Sequence, residues 1–195
     1  MTNLVTEENI QELYLQGRRD FEGADLERAD LEGADLEDAY LRMANLDGAN
    51  LRGVNLRMAN LRCVDLEGAN LQCANLSGAN LRCAGLEGAN LWRADLQSAN
   101  LEGANLWRAN LQSANLEGAK LNWRSHTLLA EILWRAADTE PRKMLAAFVG
   151  QRTEWCWEEW EKWKHPEQDW AIAELVKWVQ DGDSAPTIIL EAKLV

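Results

Sequence analysis

Apolar positions recur along this chain with a period of five. From Phe21 to Leu121 every fifth residue is Leu, Phe21 itself excepted, over twenty-one positions without a break. Two residues before each Leu sits Ala, replaced only by Val54 and Val64, and between them sits Asn or Asp, except at Tyr40, Gly85 and Lys120. The unit is A-(N/D)-L-x-x. A helix advances about 100° per residue, so a period of five leaves successive Leu about 140° out of phase. A straight strand alternates faces, so an odd spacing sends them to opposite sides. A chain that turns a corner every five residues can bury them all. Each pentad is then a short extended edge plus a bend, and the edges coil around a Leu-filled axis.

This pattern over residues 20–122 resembles the pentapeptide-repeat family. The resemblance implies a β-solenoid, a right-handed quadrilateral parallel β-helix with twenty residues per coil. Leu and Ala would point inward and the other three positions outward. Twenty-one pentads make about five coils, a stack about 25 Å long. Both ends of such a stack expose apolar side chains and unpaired backbone and need caps.

Flanking segments change period. Residues 6–16, TEENIQELYLQ, read as a short capping helix, with Thr6 as N-cap, Glu7 and Glu8 in its first turn, and Ile10, Leu13 and Tyr14 on one face. Gly17 is the expected C-cap. The segment Tyr14-x-x-Gly17-x-Arg19-Asp20-Phe21 resembles the lead-in of many bacterial family members. After Leu121 a helical period begins. Ser125 would cap a helix to about Ala137, with Leu128, Leu129, Ile132 and Leu133 on one side. Asp138 or Thr139, then Pro141, opens a second that ends at Gly150. A third spans Trp155 to about Lys164, and a fourth about Glu167 to Gln180. The expected organisation is a capping helix over 1–19, the solenoid over 20–122 and an α-helical domain over 123–195. Eight of the ten Trp follow residue 122. The helices are expected to pack on the last coil and to receive Trp92, Trp107 and Trp123. Trp155, Trp157, Trp160 and Trp163 cover more than one helix face and form a candidate interface. With the β-prone tail Thr187 to Leu190, they suggest a homodimer through the C-terminal region.

Candidate chemistry adds little. No cofactor and no catalytic constellation is expected: His126 and His165 lack convergent partners, and no phosphate-binding or dinucleotide motif is present. Residues 1–20 hold no long apolar run, so no secretory signal is expected. No stretch is long enough to cross a membrane. Cys63 and Cys83 stack one coil apart, within the disulfide range of Cα separation, about 4.4–6.8 Å. Parallel in-register side chains seldom face each other, however, so free thiols in a reducing cytoplasm are expected. Cys73 falls on the opposite face, and Cys156 lies in the helical region.

Formal net charge is −12. Counting in twenties places the outward charges on four faces, starting from Phe21. Face one carries Glu22, a column of Arg42, Arg62 and Arg82, then Glu102. Face two carries Glu27, Asp47, Glu67 and Glu87, flanked by Asp25 and Asp65, then Trp107. Faces three and four are mixed. Stacked like charges are unfavourable, so the Arg column needs compensation, expected as diagonal pairing with Glu22, Glu102 and solvent. The acidic face is the candidate partner-binding face. Family members that protect bacteria from quinolones imitate duplex DNA and bind DNA gyrase, which makes gyrase an alternative partner. Yet residues 20–40 hold nine acids and one base, while residues 41–122 hold seven acids and eight bases. This is an acidic end rather than an acidic rod. One further feature concerns history. Residues 86–100 recur at 101–115 with only Asp95 changed, to Asn110. A three-pentad copy shifts the outward pattern by three faces, so Trp92 and Trp107 do not form one column. The sequence therefore points to a non-enzymatic bacterial protein–protein interaction or scaffold protein of unknown partner. No direct nucleic-acid binding is expected.

Overall fold

Each pentad closes on a tight turn. The Ala or Val N–H donates to the carbonyl of the Leu or Phe three residues before it, at 3.0–3.2 Å. In every such turn the second residue after Leu has positive φ, from Gly23 to Gly118, whereas the first does not. That is the type II pattern, which favours Gly. Here Arg, Asp, Met, Cys and Ser also adopt it, at φ of 55° to 60°. The strain is held by the rungs on either side. In the computed structural model, which describes residues 5–120, 126–151 and 165–177, parallel bridges join residues twenty apart, from Asp20↔Tyr40 to Asn100↔Lys120. Leu26 N–H donates to the Asn45 carbonyl at 2.8 Å, and Asn45 N–H to the Ala24 carbonyl at 2.9 Å. The same pair of bonds recurs up the stack.

The result is a β-solenoid, built from single bridged residues rather than strands. The expected extended edge shrinks to one residue because the turn occupies the rest of the pentad. Every Leu from Leu26 to Leu116 is at most 2% exposed, and Val54 and Val64 lie among them in the core. The pentad period therefore sorts inward from outward as the pattern requires. Each buried Leu contributes roughly 1.5–3 kcal/mol.

The capping helix is α1, Glu7–Leu15, with Thr6 as N-cap. Asn9 Oδ1 accepts the Thr6 N–H at 2.9 Å, half of a capping box. At the other end Arg18 N–H reaches the Leu13 carbonyl and Gly17 N–H the Tyr14 carbonyl, both at 2.9 Å. With Gly17 at φ 93°, this is a Schellman stop. Ile10 and Tyr14 are buried, and Leu13 is half-buried. Tyr14 Oη donates to the Glu37 carbonyl at 3.0 Å, and Arg19 stacks 3.7 Å from its ring centroid while bonding the Tyr14 carbonyl. Burial, then the Asp35 carboxylate, raise the Tyr14 phenol above its ordinary value, and Arg19 opposes them. The lead-in motif thus ties the helix to the first coil.

By chain contacts the molecule divides into two compact units, Met1–Lys120 and Leu121–Val195. In the second, α2 spans His126–Ala136, α3 Glu140–Gln151 and α4 Gln168–Val176. Leu129, Ile132 and Leu133 of α2, Leu145, Ala146 and Val149 of α3, and Ala171 and Leu175 of α4 are buried. Arg142 links α3 to the start of α4. It bonds Glu167 at 2.9 Å and Asp138 at 2.8 Å, and lies 4.8 Å from the Trp170 ring centroid. His165 Nδ1 accepts the Glu167 N–H at 3.1 Å, a turn-stabilising role. The expected third helix falls outside the described residues, as do Trp123, Trp155, Cys156, Trp157, Trp160, Trp163 and the tail Thr187 to Leu190.

Candidate functional site

The bridge register stacks outward residues in columns one rung apart, about 4.8 Å. An Asn before a Leu can do two jobs. Its Oδ1 accepts the N–H two residues on, as in Asp47 N–H to Asn45 at 3.1 Å and Ser77 N–H to Asn75 at 3.1 Å. Either Asn or Asp can do this. An Asn also donates Nδ2 to the Oδ1 one coil earlier. Asn50 donates to Asp30 at 2.9 Å, and Asn70 to Asn50 at 3.3 Å. Asn55 donates to Asp35 at 2.9 Å, Asn75 to Asn55 at 3.2 Å, and Asn45 to Asp25 at 3.0 Å. In each of these ladder bonds the donor points toward the N-terminal end. An acceptor-only residue therefore suits the bottom rung, where no coil lies beneath. This gives Asp25, Asp30 and Asp35 a structural reason and accounts for part of the acidic first coil.

The glutamates of that coil are also accounted for on three faces. Arg42 pairs with Glu22 at 3.0 Å, Arg52 with Glu32 at 3.1 Å, and Arg57 with Glu37. Hydrogen bonds from Arg57, then from Asn55, hold the Glu37 carboxyl below its ordinary value. On face one Arg82 also reaches Glu102, at 3.9 Å. The Arg column is thus compensated at its two ends, straight up and down the column rather than diagonally as expected. Among the described residues no ion pair holds Arg62.

Face two differs. Above Glu27 stands Asp47, then Glu67 and Glu87, with no cation between them in the column. Among the described residues, the ion pair of Glu27 is with its own neighbour Arg28, at 3.6 Å. Glu87 accepts a weak bond from Asn105 Nδ2 at 3.4 Å. Asp65, having no donor, cannot continue the ladder down to Asn45, and Gly85 above it carries no side chain. The corner beyond is open: a Cβ added at Gly68 or Gly88 would meet nothing within 4 Å. The structure therefore brings Asp25, Glu27, Asp47, Asp65, Glu67 and Glu87 together on one face. Trp107 ends the column, 40% exposed, with the Arg108 guanidinium 4.3 Å from its ring centroid. Trp92, on face three, is half-buried and stacked in the same way by Arg93. The sequence reading overlooked the exposed Tyr40, Met43 and Met58 around face one, and Trp134 and Met144 on the helical unit. Counting in twenties would have found the first three.

Known structures resemble the repeat region. One is a pentapeptide repeat protein, Rfr23, from the cyanobacterium Cyanothece 51142, at 33% identity over 57% of this chain and 92% of that chain, with a TM-score of 0.48. Another is the pentapeptide repeat protein alr5209 from Nostoc PCC 7120, at 38% identity over 62% of this chain and 79% of that one, with a TM-score of 0.33. A third is full-length QnrB1, a plasmid-mediated fluoroquinolone resistance protein, at 23% identity over 58% of this chain and 70% of that one, with a TM-score of 0.26. No curated protein matches the sequence. The family model described as pentapeptide repeats matches in eight copies, over residues 20–57, 59–97 and 89–123. These segments span more than half of the sequence, and the chain belongs to the pentapeptide-repeat family.

Proposed function

We propose that the protein is a non-enzymatic interaction scaffold whose face two receives a cationic surface of a protein partner. One observation carries this reading. Each first-coil glutamate on the other three faces has an Arg directly above it, whereas Glu27 has Asp47, Glu67 and Glu87. Four carboxylates one rung apart form a linear negative field on a rigid backbone, and the corners at Gly68 and Gly88 leave approach open beside Glu67 and Glu87. Such a column repels itself, and an external cation relieves it. Electrostatic complementarity of this kind governs association rate and partner choice. The three exposed thiols Cys63, Cys73 and Cys83 suit a reducing compartment such as the cytoplasm. Self-association through the C-terminal region belongs to the same proposal. Trp134 and Met144, 50% and 71% exposed, add to the Trp-rich segment that first suggested it.

The test is capture from the source cell with wild type and with an Asp47→Asn/Glu67→Gln/Glu87→Gln variant. A specific partner held at low salt, released by added salt and lost with the variant supports the reading. A partner retained equally by the variant overturns it. The gyrase reading draws on the same column, but the match is coarse. Duplex DNA presents one charge per about 1.7 Å, against one per about 4.8 Å along this column. A supercoiling assay separates the two: inhibition by wild type, relieved in the variant, favours DNA mimicry.

A further inference from the structure

Three sulfur-bearing side chains occupy one column at the corner between faces one and two. They are Met43, Cys63 and Cys83, on successive coils, with Gly23 below and Gly103 above. Both thiols are free and exposed, and Met43 is 58% exposed. Their φ values are 58°, 55° and 58°, so the three side chains leave the backbone in the same direction. The spacing is locked by rung bonds, among them Cys63 N–H to the Arg82 carbonyl at 2.9 Å and Gly85 N–H to the Val64 carbonyl at 2.9 Å. The Cys83 sulfur leans toward the next coil, 3.3 Å from the place a Cβ on Gly103 would take.

We propose that this sulfur column is a binding site for a soft monovalent cation, copper(I), held between the Cys63 and Cys83 thiolates with Met43 as an auxiliary thioether. Distance is the first argument. A disulfide needs its sulfurs about 2.05 Å apart, which in-register parallel side chains do not reach without leaving their shared direction. A metal inserted between two thiolates, with bonds no longer than the zinc–thiolate length of about 2.3 Å, holds the sulfurs up to about 4.6 Å apart when linear, more than twice the disulfide distance. One rung is about 4.8 Å. Ligand chemistry is the second. Thiolate and thioether select copper(I). Zinc wants four ligands, and among the described residues no group of three or more His, Cys, Asp or Glu could hold a metal ion. Charge is the third. Binding forms two Cu–S bonds and releases one proton from each thiol, leaving a complex of charge −1. Arg62, which has no ion-pair partner among the described residues, and Arg82 directly precede the two thiols and can balance that charge. Cys73 supplies an internal control. Its column holds Gly53 below and Arg93 above, so it is a single thiol without a sulfur neighbour.

The experiment titrates the reduced full-length chain with copper(I) against a chromophoric copper(I) chelator, and takes the X-ray absorption spectrum of the complex. One bound equivalent with a sulfur-only first shell is expected. It should persist in Cys73→Ser/Cys156→Ser, vanish in Cys63→Ser/Cys83→Ser, and weaken in Met43→Leu by less than in either single Cys variant. Ser already sits at the equivalent turn position at Ser98 and Ser113, with φ of 57° and 60°, so the serine variants should keep the fold. No competition with the chelator, nitrogen or oxygen ligands in the wild-type spectrum, or an equivalent that survives loss of Cys63 and Cys83, overturns the proposal.

Discussion

The solenoid and the helical unit bury similar residues by different means, and the difference shows in how each can respond to damage. In the solenoid, Leu71 lies between Leu51 and Leu91 in a column whose backbone is tied above and below. Leu71 N–H bonds the Asn90 carbonyl at 2.8 Å, and Asn70 N–H the Ala49 carbonyl at 2.9 Å. A cavity there cannot close, because closing it would break rungs on three coils. In the helical unit, Leu133 is as fully buried, but α2 packs on neighbours through side chains alone and can slide. Leu71→Ala is therefore expected near the upper end of the usual range, about 4–5 kcal/mol, and Leu133→Ala nearer about 2–3 kcal/mol. Denaturant melts followed by a probe in each unit would check this. Equal costs would mean the solenoid relaxes as readily as a helix pair.

The backbone supplies the next contrast. Helices gain little from left-handed residues except at their ends, whereas every solenoid turn needs one. Gly88 has φ 67° and open space around it, so Gly88→Ala isolates the backbone term, an expected loss of roughly 1–2 kcal/mol. Ser113→Gly, at φ 60°, should gain somewhat less than that. A loss on both substitutions would show that the rung bonds, rather than the turn conformation, set the cost.

These two contrasts show what can be read from sequence. Inward positions follow from the fivefold period, because a corner every five residues buries every Leu; the twenty-residue register, and with it the columns of charge, rests on the family resemblance. The capping helix was legible too, down to Thr6 and Gly17. The direction of the Asn ladders was not. Whether Asn50 donates downward to Asp30 depends on side-chain rotamers that no pattern of letters encodes, and only that direction explains why Asp gathers in the first coil. The compensation of the Arg column was half legible: Glu22 and Glu102 were the right partners, but the side chains run along the column instead of across it. The place of Met43 in the sulfur column follows from counting in twenties. Among the described residues of the second unit, α2 and α3 lie close to the expected bounds and α4 covers the first part of the expected fourth helix, whereas Ser125 and the expected third helix lie outside them. The bond of Arg142 to Glu167 was not, since twenty-five residues of chain separate the two.

The ladders allow a smaller test within the solenoid. Asn70→Asp removes the donor to Asn50 and sets a carboxylate against its oxygen, which should cost about 1 kcal/mol. Asp30→Asn changes a bottom rung that is only an acceptor and should stay within about 0.5 kcal/mol. Equal effects in thermal melts would refute the assigned direction.

The smallest expected effects come from the two glutamate columns, and their signs should differ. Glu37 of face four is held below its ordinary value by Arg57 and Asn55. A depressed carboxyl stabilises the fold above its unfolded value, near 4.5, and loses that contribution as pH falls through the folded value. Removing Arg57 as Arg57→Gln should flatten that part of the acid limb, and at neutral pH should cost little because the pair is exposed. Glu67 of face two has like charges above and below and no cation in its column. Glu67→Gln at neutral pH should therefore leave stability unchanged or raise it, by no more than about 0.5 kcal/mol. The gain should shrink as salt screens the column. A clear loss on Glu67→Gln in low-salt melts would mean that the column is already compensated within the chain. Face two would then be an ordinary solvated surface, and the docking proposal would lose its one distinguishing observation.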